Sequence, residues 1–116
     1  MNNNAIIANN IIDQLGGRRF CIMTGAKNFA AIDNGVRFKI GRNATRTNMV
    51  EIKLNGLDLY DMEFIYYRAP KLKTDTKTYT AEWVEEKRTT IKEYHDVYCD
   101  QLQELFTEAT GMYTHF

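Results

Sequence analysis

The sequence predicts an α+β fold in which an antiparallel sheet of about five or six strands, a meander, carries an amphipathic helix from each end of the chain. Apolar residues recur at helical spacing in residues 4–15 and 96–110. Between them, short runs alternate apolar and polar residues, which is typical of strands buried on one face. Asn-Gly pairs separate these runs at 34–35 and 55–56, and Asn-Gly is the commonest two-residue hairpin turn.

The length of 116 residues predicts a single domain, 1–116, and a composition of 44% hydrophobic and 26% charged residues is that of an ordinary globular protein. No apolar run approaches the roughly 20 residues that span a bilayer. The N-terminal residues MNNNAIIANNIIDQLGG lack the basic segment of a signal peptide. Cys21 and Cys99 are therefore expected to be free thiols in a reducing cytoplasm.

The first element is predicted to be a helix over 4–15, because Ile7, Ile11 and Leu15 form one apolar stripe. Asn3 or Asn4 is expected to cap its start, and Gly16-Gly17 to end it.

The stretch RFCIMTGAKNFAAIDNGVRFKI, residues 19–40, predicts three strands joined by a turn at 25–28 and by the Asn34-Gly35 turn. Its first strand is expected to place Phe20 and Ile22 on one face. A type I′ turn at Asn34-Gly35 would pair Asp33 with Val36 and Ala31 with Phe38.

A polar loop, 41–48, precedes two further predicted strands, 50–54 and 60–67. Residues 79–83 alternate as a strand that would return through 89–91 as a projecting hairpin. A helix through 82–92 is the alternative, since that run is rich in helix-forming residues.

The last element is predicted to be a helix from Asp96 to Thr110, with Asp96 as its N-cap and Gly111 at its left-handed end. Its apolar stripe comprises Tyr98, Leu102, Leu105, Phe106 and Ala109.

The neutral net charge hides a division along the chain. Residues 17–54 hold eight basic side chains against two acidic ones, a balance of +6, so the rest of the chain carries −6. The basic side chains are Arg18, Arg19, Lys27, Arg37, Lys39, Arg42, Arg46 and Lys53. This asymmetry is typical either of a face for polyanions or of two parts that complement each other.

No residue pattern predicts catalysis, a metal site or a cofactor. His95 and Cys99 stand four residues apart, which on a helix would put both on one face. A nucleophilic pair also needs a group that orients the histidine, and Asp96 and Asp100 would point elsewhere. No CxxC or HxxxH motif supports a metal site that would add Cys21 and His115. We therefore expect a non-enzymatic protein without a metal or cofactor.

The candidate binding residues are polar turn residues and aromatic residues. Loops held by rigid elements collect binding residues, the basic loop 41–48 suits phosphates, and Tyr and Trp are enriched in protein interfaces. The candidates are Lys27, Asn28, Arg42, Arg46, Tyr66, Tyr67, Tyr79 and Trp83.

The runs QLGGRRF, MTGAKNF, LDLYDMEF and YCDQLQELFTEATGMYT resemble a family of small proteins from tailed phages and prophages. That family has pieces similar to QLGG, MTGAKNF, DQL and FTxxTGxYT in the same order. The resemblance implies a phage accessory protein made during infection and acting in the host cytoplasm. The motifs carry no chemistry that could be transferred to this chain.

Two functions are consistent with these features. In the first, a phage-encoded, non-enzymatic accessory protein acts by protein–protein contact, with itself as a homo-oligomer, with a host protein, or both. Inhibition of a host defence or of host machinery is one form of it, and no membrane partner is expected. In the alternative, the protein binds nucleic acid through the basic segment 18–53. Salt dependence separates them, because counterion release makes nucleic-acid affinity fall steeply with salt.

Overall fold

The computed structural model describes residues 3–114 and confirms the α+β class. Its elements are α1 (Asn3–Leu15), α2 (Gly17–Thr24), β1 (Lys27–Ile32), β2 (Gly35–Lys39), β3 (Met49–Leu54), β4 (Tyr60–Arg68), β5 (Lys71–Asp75), β6 (Thr80–Val84), β7 (Lys87–Val97) and α3 (Leu102–Thr110), with a 3₁₀ turn at Cys99–Gln101. Among these residues, no helix has the length and apolar character needed to cross a bilayer.

The main sheet has five strands in the order β1-β2-β3-β4-β7, and every neighbouring pair is antiparallel. Strands β5 and β6 pair with each other in a separate two-stranded sheet. We call this hairpin, residues 71–84, the arm. A projecting hairpin was predicted, but its strands are 71–75 and 80–84, whereas 87–97 returns to β4. The predicted return through 89–91 and the alternative helix over 82–92 are both wrong.

The core lies between the sheet and the three helices. Alternate residues of the central strands point toward the helices and are fully buried, as the period of two requires. They are Val36, Phe38, Val50, Ile52, Met62 and Phe64. The predicted stripe of α1 is confirmed, since Ile11 and Leu15 are buried in this core. Asn3 and Asn4, the predicted caps, both lie within α1, whose N-cap is outside the described residues. The Asn4 side-chain oxygen accepts from the backbone N–H of Asn34, in the first hairpin turn, at 3.0 Å.

The strand predicted at residues 19–24 is wrong, because this run forms α2. Gly16 and Gly17 both adopt positive φ, so the chain turns and starts a second helix at once. Within α2 the buried residues are Phe20 and Thr24, four apart, while Ile22 is 61% exposed. A short apolar run does not distinguish a strand from a helix, and here burial of one helical face decided the outcome.

The first hairpin turn lies one residue earlier than predicted. Asp33 and Asn34 form the turn, Asn34 has φ +58°, and Ile32 pairs with Gly35. Ala31 therefore faces Val36, so both predicted pairs are wrong. Gly35 does not have positive φ; it belongs to β2. A Cβ atom at this position would clash with the carbonyl oxygen of Ile52 on β3, so close strand packing requires glycine there.

The predicted start of the last helix is also wrong. β7 continues to Val97, Asp96 lies within it at φ +56°, and α3 begins at Leu102 after the 3₁₀ turn. Asp96 cannot act as a helix N-cap in this position; its backbone N–H instead donates to the Asp61 carboxylate. Tyr98 is exposed rather than part of the stripe. The C-terminal end is confirmed, because Gly111 has φ +77° and its N–H bonds the carbonyl of Thr107.

The sheet face opposite the helices carries an ion-pair cluster. Glu51 is only 6% exposed, although it lies directly opposite Glu63 on β4, and like charges across strands repel. Arg37 donates from Nε and Nη2 to Oε1 of Glu51 at 2.9 and 2.8 Å. Arg88 reaches across β4 to Oε2 of Glu51 at 2.6 Å and to Glu63 at 3.4 Å. Burial raises the pKa of the Glu51 carboxyl, but hydrogen bonds and charges from Arg88 and Arg37 outweigh it and leave that pKa below its usual value.

Gly35→Ala is expected to lower the free energy of unfolding by at least about 2 kcal/mol, because the new methyl group meets the backbone of β3 and neither can move aside cheaply. Urea denaturation measures the change. Gly56→Ala is the control: a Cβ there meets nothing within 4 Å, so its effect should stay within about 0.5 kcal/mol. Equal effects of the two substitutions would contradict the assigned register.

Glu51→Gln is expected to cost about 1–3 kcal/mol at pH 7, because it leaves two arginines without their shared carboxylate. Since the folded pKa of Glu51 is lowered, its stabilisation is present above the unfolded pKa of about 4.3 and is lost as pH falls through the folded value. The difference between parent and variant should therefore shrink at pH 3. Urea midpoints at the two pH values test this, with Glu104→Gln, an exposed position on α3 outside the cluster, as a control. A difference independent of pH would exclude the cluster as its source.

Candidate functional site

Most of the predicted binding residues lie at one end of the sheet. At this end β1 begins, β2 ends, β3 begins, β4 ends and β7 begins. We call it the basic end, because its strand termini and the adjoining loop carry Lys27, Lys39, Arg42, Arg46, Arg68 and Lys87. The arm leaves the sheet here, directly after β4.

The structure divides the eight candidates between two surfaces. Tyr66 and Tyr67 lie near the end of β4, and Lys27 and Asn28 lie at the start of β1, where the β1–β2 pairing is irregular and Asn28 has φ +58°. The loop 41–48 carries Arg42 and Arg46. The remaining two candidates, Tyr79 and Trp83, belong to the arm.

The loop 41–48 is organised by Asn43. Its side-chain oxygen accepts from the backbone N–H groups of Thr45 and Thr47 and from the Thr45 hydroxyl, at 2.9–3.2 Å. Its amide nitrogen donates to the carbonyls of Gly41 and Thr47. Asn side chains often bond to nearby backbone in this way and so set the course of a loop. Asn43 therefore gives the loop one shape, from which Arg42 and Arg46 project as exposed side chains.

Asn48 then fastens the loop to β4. Its side chain donates to the carbonyl of Tyr67 and accepts from the N–H of the same residue, both at 2.7 Å. The backbone N–H of Asn48 also donates to Ile65 at 3.0 Å. The loop is thus held beside the end of β4, and Arg46 adopts φ +64° there.

A groove of about 430 Å³ opens between the loop and the ends of β4 and β7. We call it the basic groove; it is lined by Thr45, Arg46, Tyr66, Arg68, Lys87, Thr89 and Ile91. A second depression of about 250 Å³ shares Arg46 and Tyr66 with it and adds Arg42. Neither lining contains a carboxylate. Within residues 3–114, none of these arginines and lysines makes an ion pair.

The other face of the basic end has a smaller cavity. Tyr67 lines about 200 Å³ together with Lys27 and Lys39. The Tyr67 hydroxyl donates to Glu86 at 2.9 Å, and this hydrogen bond to a carboxylate, assisted by desolvation, raises the pKa of Tyr67 above its usual value. The Tyr67 hydroxyl is therefore already bonded to a carboxylate. Tyr66, by contrast, lines the basic groove, whose lining contains no carboxylate.

The basic segment 18–53 does not form one continuous basic face. Arg37 is committed to Glu51. Lys53 lies toward the opposite end of the sheet, in a depression with the acidic side chains of Asp61, Glu63 and Glu93. The structure instead adds Arg68 and Lys87, which the sequence analysis did not identify. These two residues pair across β4 and β7. The pairing cannot be predicted from the sequence unless residues 71–84 are recognised as an insertion between two paired strands.

The arm is amphipathic. On one face Leu72 pairs with Trp83 and Thr74 pairs with Ala81, so this face, which we call the apolar face, has no charge. On the other, the pairs Lys71–Val84, Lys73–Glu82 and Asp75–Thr80 carry four charges. Leu72 is 52% exposed and Trp83 is 69% exposed, while Tyr79, in the turn, is 94% exposed. Nothing in the described chain covers the apolar face.

The structure separates the one pair considered for catalysis. His95 lies within β7, 3.4 Å from Asp61 and 3.7 Å from Glu93. Cys99 lies beyond the end of that strand in the 3₁₀ turn, so the two do not share a helix face. Both cysteines are free thiols. Residues 3–114 contain no group of three or more His, Cys, Asp or Glu side chains placed to hold a metal ion, and His115 lies outside the described residues.

Comparison of the chain with protein-family models, with curated protein sequences and with solved structures finds no match.

Proposed function

We propose that this protein is non-enzymatic and acts by protein–protein contact through the apolar face of the arm. The observation that carries the proposal is the exposed Leu72–Trp83 pair on a hairpin that pairs with no other strand within residues 3–114. Trp is among the residues that most often dominate interface energies, particularly when it fills a pocket on the partner.

The energetics of the hairpin support this proposal. A two-stranded hairpin is marginally stable in water when nothing packs on it. The arm also extends the molecule to 55 × 33 × 23 Å, with a radius of gyration of 16.5 Å, against about 13 Å for a compact chain of similar length. Covering the apolar face would remove two large side chains from water and stabilise the arm at the same time.

The amphipathic pattern favours a contact on one side of the arm. A partner that covers Leu72 and Trp83 can leave the charged face, with Lys73 opposite Glu82, in water. The contact would be small for a stable interface unless a second surface joined it. A second copy of the chain meets this requirement because two arms contribute two apolar faces, and the protein is therefore proposed to form a homo-oligomer, alone or together with a host protein.

The biological setting of the proposal rests on the motif resemblance alone. A phage-encoded accessory protein would meet its partner in the host cytoplasm, where the contact could inhibit a defence protein or a component of host machinery.

The single tryptophan of the chain makes the arm directly observable. Trp83 is exposed in an isolated copy, so self-association should shift its fluorescence emission to shorter wavelength as concentration rises. Sedimentation on the same samples should report a complex larger than 13.5 kDa. Leu72→Glu should abolish both signals, because it places a charge beside the indole while retaining the probe.

Leu57→Glu is the matched control, since Leu57 is also exposed but lies in the turn between β3 and β4, away from the arm. It should associate as the parent does. A monomer with solvated Trp83 at all concentrations and salt levels would end the self-association proposal. Capture from infected cells would then have to yield a protein partner that the Leu72→Glu variant loses; if neither occurs, the proposed function fails.

A further inference from the structure

The basic groove contains an electrostatic conflict within the chain. Arg68 and Lys87 lie directly opposite each other on β4 and β7, and both line the groove. Like charges in directly opposed cross-strand positions are destabilising. On the other sheet face, the same kind of conflict between Glu51 and Glu63 is relieved by Arg88. No carboxylate in the groove relieves the conflict between Arg68 and Lys87.

A second observation also indicates an anion. The Nε atom of Arg68 is buried and has no hydrogen-bond partner in the described chain, and its Nη2 reaches the carbonyl of Glu85 at only 3.4 Å. The Nε atom is shielded from solvent, so a ligand in the groove would meet the terminal nitrogens of the guanidinium instead. Within the described residues these nitrogens make only the long bond to Glu85, and a phosphate oxygen is an acceptor that guanidinium groups bind well.

The groove also offers an aromatic surface. Tyr66 lies on the same side of β4 as Arg68, by the alternation of the strand, and is 37% exposed. It lies opposite Thr89 and separates the basic groove from the depression that contains Arg42. Cations on both sides of an exposed ring are the arrangement with which proteins hold single strands, the ring stacking on a base and the cations following the backbone.

We propose that the basic groove binds single-stranded nucleic acid, with phosphates at Arg46, Arg68 and Lys87 and a base stacked on Tyr66. This site is independent of the arm contact. It differs from a binding face over 18–53, because three of its four key residues, Tyr66, Arg68 and Lys87, lie outside that segment. Arg37 and Lys53, which lie inside it, do not contribute. A duplex would fit less well, since its bases are already stacked and are not available to Tyr66.

Fluorescence anisotropy with labelled oligothymidylate and oligouridylate, each about 12 nucleotides long, tests the proposal and shows whether deoxyribose or ribose is preferred. We expect binding to both or to one of them, with affinity falling steeply as salt rises. Arg46→Asn removes one cation, and Asn tolerates the positive φ at this position. It should weaken binding about tenfold and lower the salt slope by about 1.

Tyr66→Ala should weaken binding about tenfold while leaving the salt slope unchanged, and Tyr66→Phe should retain the parent affinity, because stacking needs only the ring. Lys53→Gln is the matched control: it removes one cation from the opposite end of the sheet and should change affinity less than about twofold. Thermal melting confirms that each variant is folded.

Three results would overturn the proposal: no binding at low salt, equal losses for Arg46→Asn and Lys53→Gln, or a duplex bound as tightly as the single strand and unaffected by Tyr66→Ala. The Leu72→Glu variant should bind oligonucleotide as the parent does, which separates failure of this site from failure of the arm contact.

Discussion

Four phenylalanines join the helices to the sheet, and the rest of the structure depends on that contact. Phe20 of α2 meets Phe38 of β2 at 5.6 Å and Phe106 of α3 at 4.9 Å between ring centroids, and Phe106 in turn meets Phe64 of β4 at 5.8 Å. The two contacts of Phe20 are edge-on and the Phe64–Phe106 contact is tilted, and such arrangements add specific geometry to hydrophobic burial. Because α1, α2 and α3 all pack against this one core, the described helices leave the other sheet face to be stabilised by different means.

That other face is stabilised mainly by charge. Glu51 is buried beneath the two arginines that neutralise it, and a buried carboxylate is tolerated only with such partners. The cluster engages both Arg37 and Arg88, so their guanidinium groups already have a carboxylate partner in the chain. Within the part of the chain that the structure describes, the basic-end cations without an ion pair are those that line its grooves and cavities. Glu51, Glu63 and Glu93 lie side by side on adjacent strands and form an acidic row. Arginines that face this row form ion pairs with it, whereas cations placed elsewhere on the strands do not.

Much of the fold could be predicted because its local patterns are strong. The alternation of β3 and β4 and the stripes of α1 and α3 all place apolar residues in the core, as the structure confirms. The failures share one cause: a tertiary contact decided between local alternatives. From a helix over 17–24, Phe20 contacts both Phe38 and Phe106. At position 35 the closeness of β3, rather than a turn, calls for glycine.

The candidate site was less predictable, because its residues come from segments far apart in sequence. Arg42 and Arg46 could be recognised from a polar loop, and Trp83 from its residue type. Nothing local distinguishes Arg68 or Lys87 from the other surface cations. Their juxtaposition depends on β7 pairing with β4 across the arm, a non-local pairing that no periodicity encodes. The pairing of Leu72 with Trp83 is likewise set by the strand register and not by a local pattern, although these two residues are closer in sequence.

The pair Arg68–Lys87 belongs to both the base of the arm and the lining of the basic groove. The chain leaves the main sheet after Arg68 and rejoins it at Lys87, so the two residues that anchor the arm are also two of the cations in the groove. Residues at the ends of paired strands are held by the sheet yet remain open on the side where the chain departs, which is why binding residues gather at such places. Because the pairing continues beyond the arm for the whole length of β4, the rigid sheet can present both surfaces from the same end.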